Sequence, residues 1–225
     1  MCYPFVKTMG ITKINFANNT DRYNFTPSSP TMSKAEETKA FIIEKIAPVF
    51  NKKGYAGTSL TDMTEATGLT KGSIYGNFAN KDEVAVAAFD FNLKKINAIL
   101  KVEMAKETSA REKLLVHVRV YENFSKYAFP SGGCPVLNTS TEADDTHPAL
   151  KQRACDAIMS WKKNLVGIIK EGIANKEFGK ATDPEQIAVT IIAMLEGAIM
   201  IAGVTGKAQY RSHVAKSLAK LIKAL

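Results

Sequence analysis

The sequence predicts an all-α protein, and three observations carry that expectation. From Met32 onward apolar residues recur at intervals of three and four, the spacing that lines one face of a helix. No stretch alternates apolar and polar residues over the length of a strand. Glycine, proline and cap-forming residues interrupt the pattern at helix-length intervals. With 225 residues, 45% of them hydrophobic, the chain is long enough to bury a substantial core.

Residues 1–31 are rich in Asn, Thr, Ser and Pro, show no sustained period and end in TPSSPT, which predicts a disordered leader. Periodic structure begins directly after Met32, so Met32 is itself a candidate start. The first helix is expected over about 34–53, with Ile42, Ile43, Ile46, Val49 and Phe50 on one face. Pro48 removes a backbone donor inside it and should kink or loosen it, and Gly54 suits a left-handed cap. Thr58 or Ser59 then caps a short helix through Thr67, with Leu60, Met63 and Ala66 on one face. Gly68 ends it, Leu69 plugs the turn, and Thr70 caps a third helix whose buried face is Ile74 and Phe78. Asn80, with Glu83 three residues on, resembles a capping box that opens a long helix through about 100.

Later helices are expected near 110–128, 147–176, 184–204 and 208–224. The stretch FPSGGCPVLNTSTEADDT between the first two of these reads as a loop or a broken helix. Two domains follow from this layout, 32–80 and 81–225. The run IAVTIIAMLEGAIMIAGV, 187–204, approaches membrane-spanning length but contains Thr190, Glu196 and Gly197. It is read as a helix buried against a partner helix, and no membrane partner is expected.

The net charge is +8, which invites a nucleic-acid reading, so its distribution matters. Residues 1–32 carry +2, residues 33–80 carry +1, residues 81–205 are neutral, and residues 206–225 carry +5. The basic tail has an apolar stripe of Val214, Leu218, Leu221 and Ile222, so it is expected to dock as a helix with a solvated lysine face. Three scattered cysteines and three isolated histidines give neither a disulfide framework nor a metal site. With a leader that makes a poor signal peptide, this points to the cytoplasm. No phosphate loop, paired carboxylates or nucleophile–base constellation appears, so no cofactor and no enzyme activity are expected.

Two short helices joined by a glycine turn with an apolar plug form a helix-turn-helix. Its second helix lies in the DNA major groove, where small residues, hydroxyls and a cation are wanted. Thr70, Lys71, Gly72 and Ser73 meet those requirements. The start of the following helix, Asn80–Lys81, adds a phosphate site.

The segment FNKKGYAGTSLTDMTEATGLTKGSIYGNFANKDEV resembles the N-terminal domain of the tetracycline-repressor (TetR) family of transcription regulators. The resemblance places Ser59 and Lys81 on phosphates, Thr70, Lys71, Gly72 and Ser73 in the groove, and Tyr75 on the backbone. Asn77 joins this DNA-facing set, although Gly76–Asn77 departs from the larger polar residues often found there, as Pro48 departs from a regular first helix. LEGAIMIAGVTGKAQYRSHVAKSLAKLI resembles the last two helices of the family, which pair with a second subunit. Gly197, Ala198, Ala202 and Gly203 would permit their close approach.

The resemblance therefore implies a homodimeric repressor, bound to a palindromic double-stranded operator and released by a lipophilic or electrophilic small molecule. The candidate effector residues are Tyr121, Phe124, Tyr127, Cys134, Trp161 and Met194. Cys134 has two readings, an inert buried thiol or a thiolate sensor stabilised near a helix end. The rivals to this function are a non-specific architectural DNA-binding protein and a helical-bundle enzyme.

Overall fold

The computed structural model describes residues 33–225, which form one compact unit. The expected leader and Met32 lie outside the described residues. Nine helices and no strand are present among the described residues. They are α1 (Lys34–Gly57), α2 (Leu60–Thr67), α3 (Lys71–Tyr75), α4 (Lys81–Met104), α5 (Ala110–Glu122), α6 (Pro135–Ala143), α7 (Pro148–Ala174), α8 (Pro184–Thr205) and α9 (Gln209–Lys223). The boundary expected at residue 80 falls between α3 and α4.

Most helices begin on a side-chain cap that satisfies an otherwise orphaned backbone donor. Ser33 and Glu36 form a reciprocal capping box, as do Ser59 and Asp62. Thr70, Asn80 and Ser109 accept from the third backbone N–H after them. Asp183 and His147 cap helices that open on Pro184 and Pro148, residues whose missing N–H is no loss at that position. Asn80 accepts from Glu83 N, but the Glu83 carboxylate reaches back one residue further, to Ala79 N at 2.7 Å, so the expected box is displaced by one position.

Pro48 does not break α1, because the only non-helical residue inside that element is Gly54. The face Ile42, Ile46, Ala47 and Phe50 is buried. Asn92 of α4 donates to Ala47 O at 3.0 Å and ties the backbone down beside the proline. Packing outweighs the lost bond there. Gly54 has φ 72 but ψ 179, so it makes an extended break that glycine tolerates in place of the left-handed cap expected.

Helix α5 stops at Glu122, six residues before the expected end, because α9 and the following aromatics take over its carboxyl end. Arg211 Nε donates to Glu122 O at 3.3 Å, and the guanidinium lies 4.6 Å from the Phe124 ring centre. Phe124 and Phe129 stack at 4.0 Å, folding residues 124–129 back on themselves. The stretch that follows, expected as a loop or a broken helix, contains the nine-residue helix α6.

Helix α8 is only partly covered: 33% of its most apolar 18-residue window is buried, and Val189, Met200, Ile201 and Val204 are exposed. Of the four small residues expected at a partner face, Ala198 and Ala202 turn inward, whereas a Cβ at Gly197 or Gly203 would meet nothing within 4 Å. Length and composition would let this helix cross a membrane, and its inward face is filled by the chain's own core.

Gly172 of α7 is closed in by the Phe178 ring and by Ala110, which lies 3.0 Å from where a Cβ would stand. Gly172→Ala is expected to lower unfolding free energy by about 1–3 kcal/mol through overpacking, read from denaturant midpoints.

Candidate nucleic-acid interface and interior cavity

The segment 59–81 is held from behind and open in front. Ile74 and Phe78 are 0% and 2% exposed, packed with Ile42, Ile46, Met63 and Val84. Lys39 Nζ lies 4.6 Å from the Phe78 ring centre and pairs with Glu83 at 2.8 Å, closing the α1–α4 side. Gly68, at φ 70 and ψ 9, supplies the left-handed turn, and Leu69 packs against the core.

Thr70, Lys71, Gly72 and Ser73 are all exposed on the other side. The Thr70 and Ser73 hydroxyls lie 3.0 Å apart. A Cβ at Gly72 would meet only Thr70 Oγ1, at 3.9 Å, so nothing inside the protein requires glycine at that position. Tyr75 is half-buried with its body against the core.

The remaining DNA-facing candidates are partly committed to local contacts. Asn77 donates to Ser73 O at 2.9 Å and closes the end of α3. Ser59 shares Asp62 with Lys53, whose ammonium is 2.5 Å away. The Lys53 hydrogen bond and those from Ser59 hold the Asp62 carboxyl at about 2. Lys81 Nζ sits 4.4 Å from the Tyr55 ring centre. Of the eight candidates, Ser59 and Thr70 are the N-caps of α2 and α3, Lys71, Gly72, Ser73 and Tyr75 lie on α3, Asn77 follows its C-cap Gly76, and Lys81 opens α4.

An interior cavity of about 740 Å³ opens between α4, α5, α6 and α7. Its apolar wall includes Leu93, Ile96, Leu100, Val136 and Ile168. Arg153–Asp90 and Lys113–Glu171 ion pairs, at 3.1 and 2.9 Å, stand among the lining residues. Of the six residues expected at a ligand site, Tyr121 and Trp161 line this space. Phe124, Tyr127, Cys134 and Met194 do not: the first two lie in the folded-back segment after α5, Met194 is on α8, and Cys134 is sealed behind the wall.

Helix α4 also contributes to the wall, and Leu93, Ile96 and Leu100 repeat at three and four along one of its faces. His117 lines the cavity as well, and its Nδ1 accepts from Trp161 Nε1 at 3.3 Å. Burial pushes His117 down to about 4, so the ring is neutral near pH 7.

The structure places Cys134 as a buried thiol. The thiol is fully buried, its Sγ is 3.0 Å from Glu196 Oε1, and burial together with Glu196 raises its pKa well above the ordinary value. A helix start alone does not offset these effects, so the protonated thiol donates to a buried carboxylate.

Known proteins share both halves of this geometry. Residues 42–88 match the family described as bacterial regulatory proteins, tetR family, and residues 110–218 match the tetracyclin repressor-like C-terminal domain. A TetR-family transcriptional regulator from Cytophaga hutchinsonii, solved by crystallography, is 53% identical; the match covers 86% of this chain and 97% of that one, with a TM-score of 0.83. A TetR transcriptional regulator from Chloroflexus aurantiacus is 35% identical over 85% and 96% of the two chains, with a TM-score of 0.81. The HTH-type transcriptional regulator TtgR of Pseudomonas putida is 26% identical over 173 residues, 75% of this chain and 81% of TtgR.

Burial pushes the Glu196 carboxyl up to about 7. Between the ordinary value of 4.5 and about 7 the folded chain keeps a proton that the unfolded chain has released, so stability falls as pH rises through that window. Glu196→Gln is expected to remove this fall, gaining roughly 3 kcal/mol over wild type at pH 8 and little at pH 4. Denaturation at the two pH values measures it, and parallel curves for the two proteins would contradict it.

Proposed function

The chain belongs to the tetracycline-repressor family of helix-turn-helix transcription regulators, and we propose that it works as a cytoplasmic homodimer that represses from a palindromic operator. A small apolar molecule in the α4–α7 cavity releases it. One observation carries the DNA-facing part of this reading: Thr70, Lys71, Gly72 and Ser73 stand exposed on a helix whose opposite side is buried, with a glycine that no internal contact demands.

In the major groove Lys71 supplies a cation for a phosphate or a guanine edge, and Thr70 and Ser73 supply hydroxyls. The bare backbone at Gly72 permits close approach. Tyr75, Ser59 and Lys81 take phosphates on either side, and Asn77 steadies the end of α3 through Ser73 O. Since residues 33–80 carry only +1, affinity rests on placed contacts and on two half-sites read together.

The second subunit is the partner proposed for the uncovered stripe of α8, with α9 beside it. Val189, Met200 and Val204 give the stripe apolar area, and Gly197 and Gly203 leave room for another backbone. The cavity favours a lipophilic effector held without a covalent bond, because Cys134 is buried and its thiol is kept protonated. Effector binding shifts the balance between two dimer geometries, only one of which matches the operator.

Duplexes selected by the wild-type protein from a random pool supply the DNA for a test by fluorescence anisotropy. Tyr75→Ala and Lys81→Ala are expected to weaken binding about tenfold or more on every duplex. Lys71→Ala and Ser73→Ala are expected to change which duplexes are preferred. Wild-type affinity and preference in all four would refute the assignment. Met200→Glu is expected to shift the dimer toward monomer in sedimentation, by placing a charge in an apolar interface.

A further inference from the structure

Helix α6 is tied to the end of α1 at two places, and each tie needs a missing side chain. Glu142, in the last turn of α6, accepts hydrogen bonds from Tyr55 N at 2.7 Å and Ala56 N at 2.8 Å. These are the first two residues after the break at Gly54, so a carboxylate 87 positions away in sequence from Tyr55 caps the turn that leads into Thr58 and Ser59. A Cβ on Gly54 would run into that carboxylate.

The second tie lies one helical turn earlier. Asn138 donates to Asn51 O at 2.8 Å and to Gly132 O at 3.0 Å, while buried Asn51 donates to Ser131 O and Gly133 O at 2.8 and 2.9 Å. A Cβ on Gly132 would stand 2.9 Å from Asn51 O.

Tyr55 is the point at which the restraints meet. Its hydroxyl donates to Asp82 in the first turn of α4, and Lys81 lies over its ring. The His147 ring, which starts α7, meets it edge-on at 4.4 Å. At the other end of α6, Val136 forms part of the cavity wall. A helix rises about 1.5 Å per residue, so Val136 and Glu142 are about 9 Å apart on one rigid rod.

We propose that Glu142 is the positioning residue that transmits the state of the α4–α7 cavity to the helix-turn-helix. A change in the cavity that moves Val136 carries Glu142 with it and shifts the backbone of Tyr55 and Ala56 just ahead of α2. This deepens, and rests on, the reading of α2–α3 as the DNA-binding element. Coupling between two binding sites is reciprocal, so DNA held by α3 must in turn bias the cavity wall. That makes the coupling measurable without knowing the effector, because Trp161, the chain's only tryptophan, lines the cavity.

The full-length protein is titrated with an unlabelled duplex selected by the wild type, following Trp161 emission, and binding is followed in parallel by anisotropy of the labelled duplex. In the wild type, emission is expected to change over the same concentration range as anisotropy. Glu142→Gln keeps the size but loses the charge and one of two acceptors; it is expected to bind DNA within about fivefold of wild type while its Trp161 response falls by more than half. A full response in this variant, or an unchanged wild-type emission while anisotropy reports binding, overturns the proposal. Should Glu142→Gln lose DNA binding, Asn138→Ala, which cuts the second tie, decides: a diminished response with binding retained supports the proposal, and a full response overturns it. Failure of the wild type to select any duplex refutes the DNA-binding reading, and this inference falls with it.

Discussion

A helix of five residues cannot hold itself together in water, where isolated helices shorter than about 12–15 residues are marginal. Helix α3 exists because Ile74 and Phe78 are buried among α1, α2 and α4, at roughly 1.5–3 kcal/mol for each fully buried side chain. Those two anchors carry the packing for the segment. Thr70, Lys71, Gly72 and Ser73 are thereby freed from any duty to the core, and their chemistry can be set by what lies outside. Anchors behind and adaptable groups in front let a one-turn element present a defined surface.

The same division between held and free faces recurs in the second half of the chain. Helix α8 fills its inner side with Ile191, Leu195, Ala198 and Ile199, yet leaves a stripe of large apolar side chains uncovered. An uncovered stripe beside bare glycine backbone is unfavourable in a lone chain and useful in a dimer, where two recognition helices are set at a fixed distance. The low net charge of residues 33–80 adds little long-range attraction for DNA, which gives such spacing more weight. Linkage between the halves runs through the continuous α4 and through the glycine-permitted contacts of α6.

Local features were legible in the sequence because their causes are local. Ser59, Gly68, Thr70 and Asn80 act within three residues of themselves, and all occupy the cap or turn positions that their chemistry predicts. The face spacing of Ile74 and Phe78 was equally plain. What escaped depends on residues far apart in the chain. The early end of α5 is made by Arg211, 89 positions from Glu122, and moves Phe124 away from the cavity. The tolerance of Pro48 follows from burial against α4, and the state of Cys134 from its burial and from Glu196, 62 positions on. Gly54 was readable as a break, but Glu142, which the break accommodates, was not.

A hydroxyl-radical footprint of the protein on a duplex selected from a random pool tests directly whether two copies of α3 read one DNA site. Two protected patches related by inverted symmetry are expected, with centres about one helical turn (roughly 34–36 Å) or somewhat more apart. Binding at that site is also predicted to remain far tighter than to unrelated DNA as salt is raised. Protection spread evenly along the duplex, with affinity set by salt alone and indifferent to sequence, would contradict it.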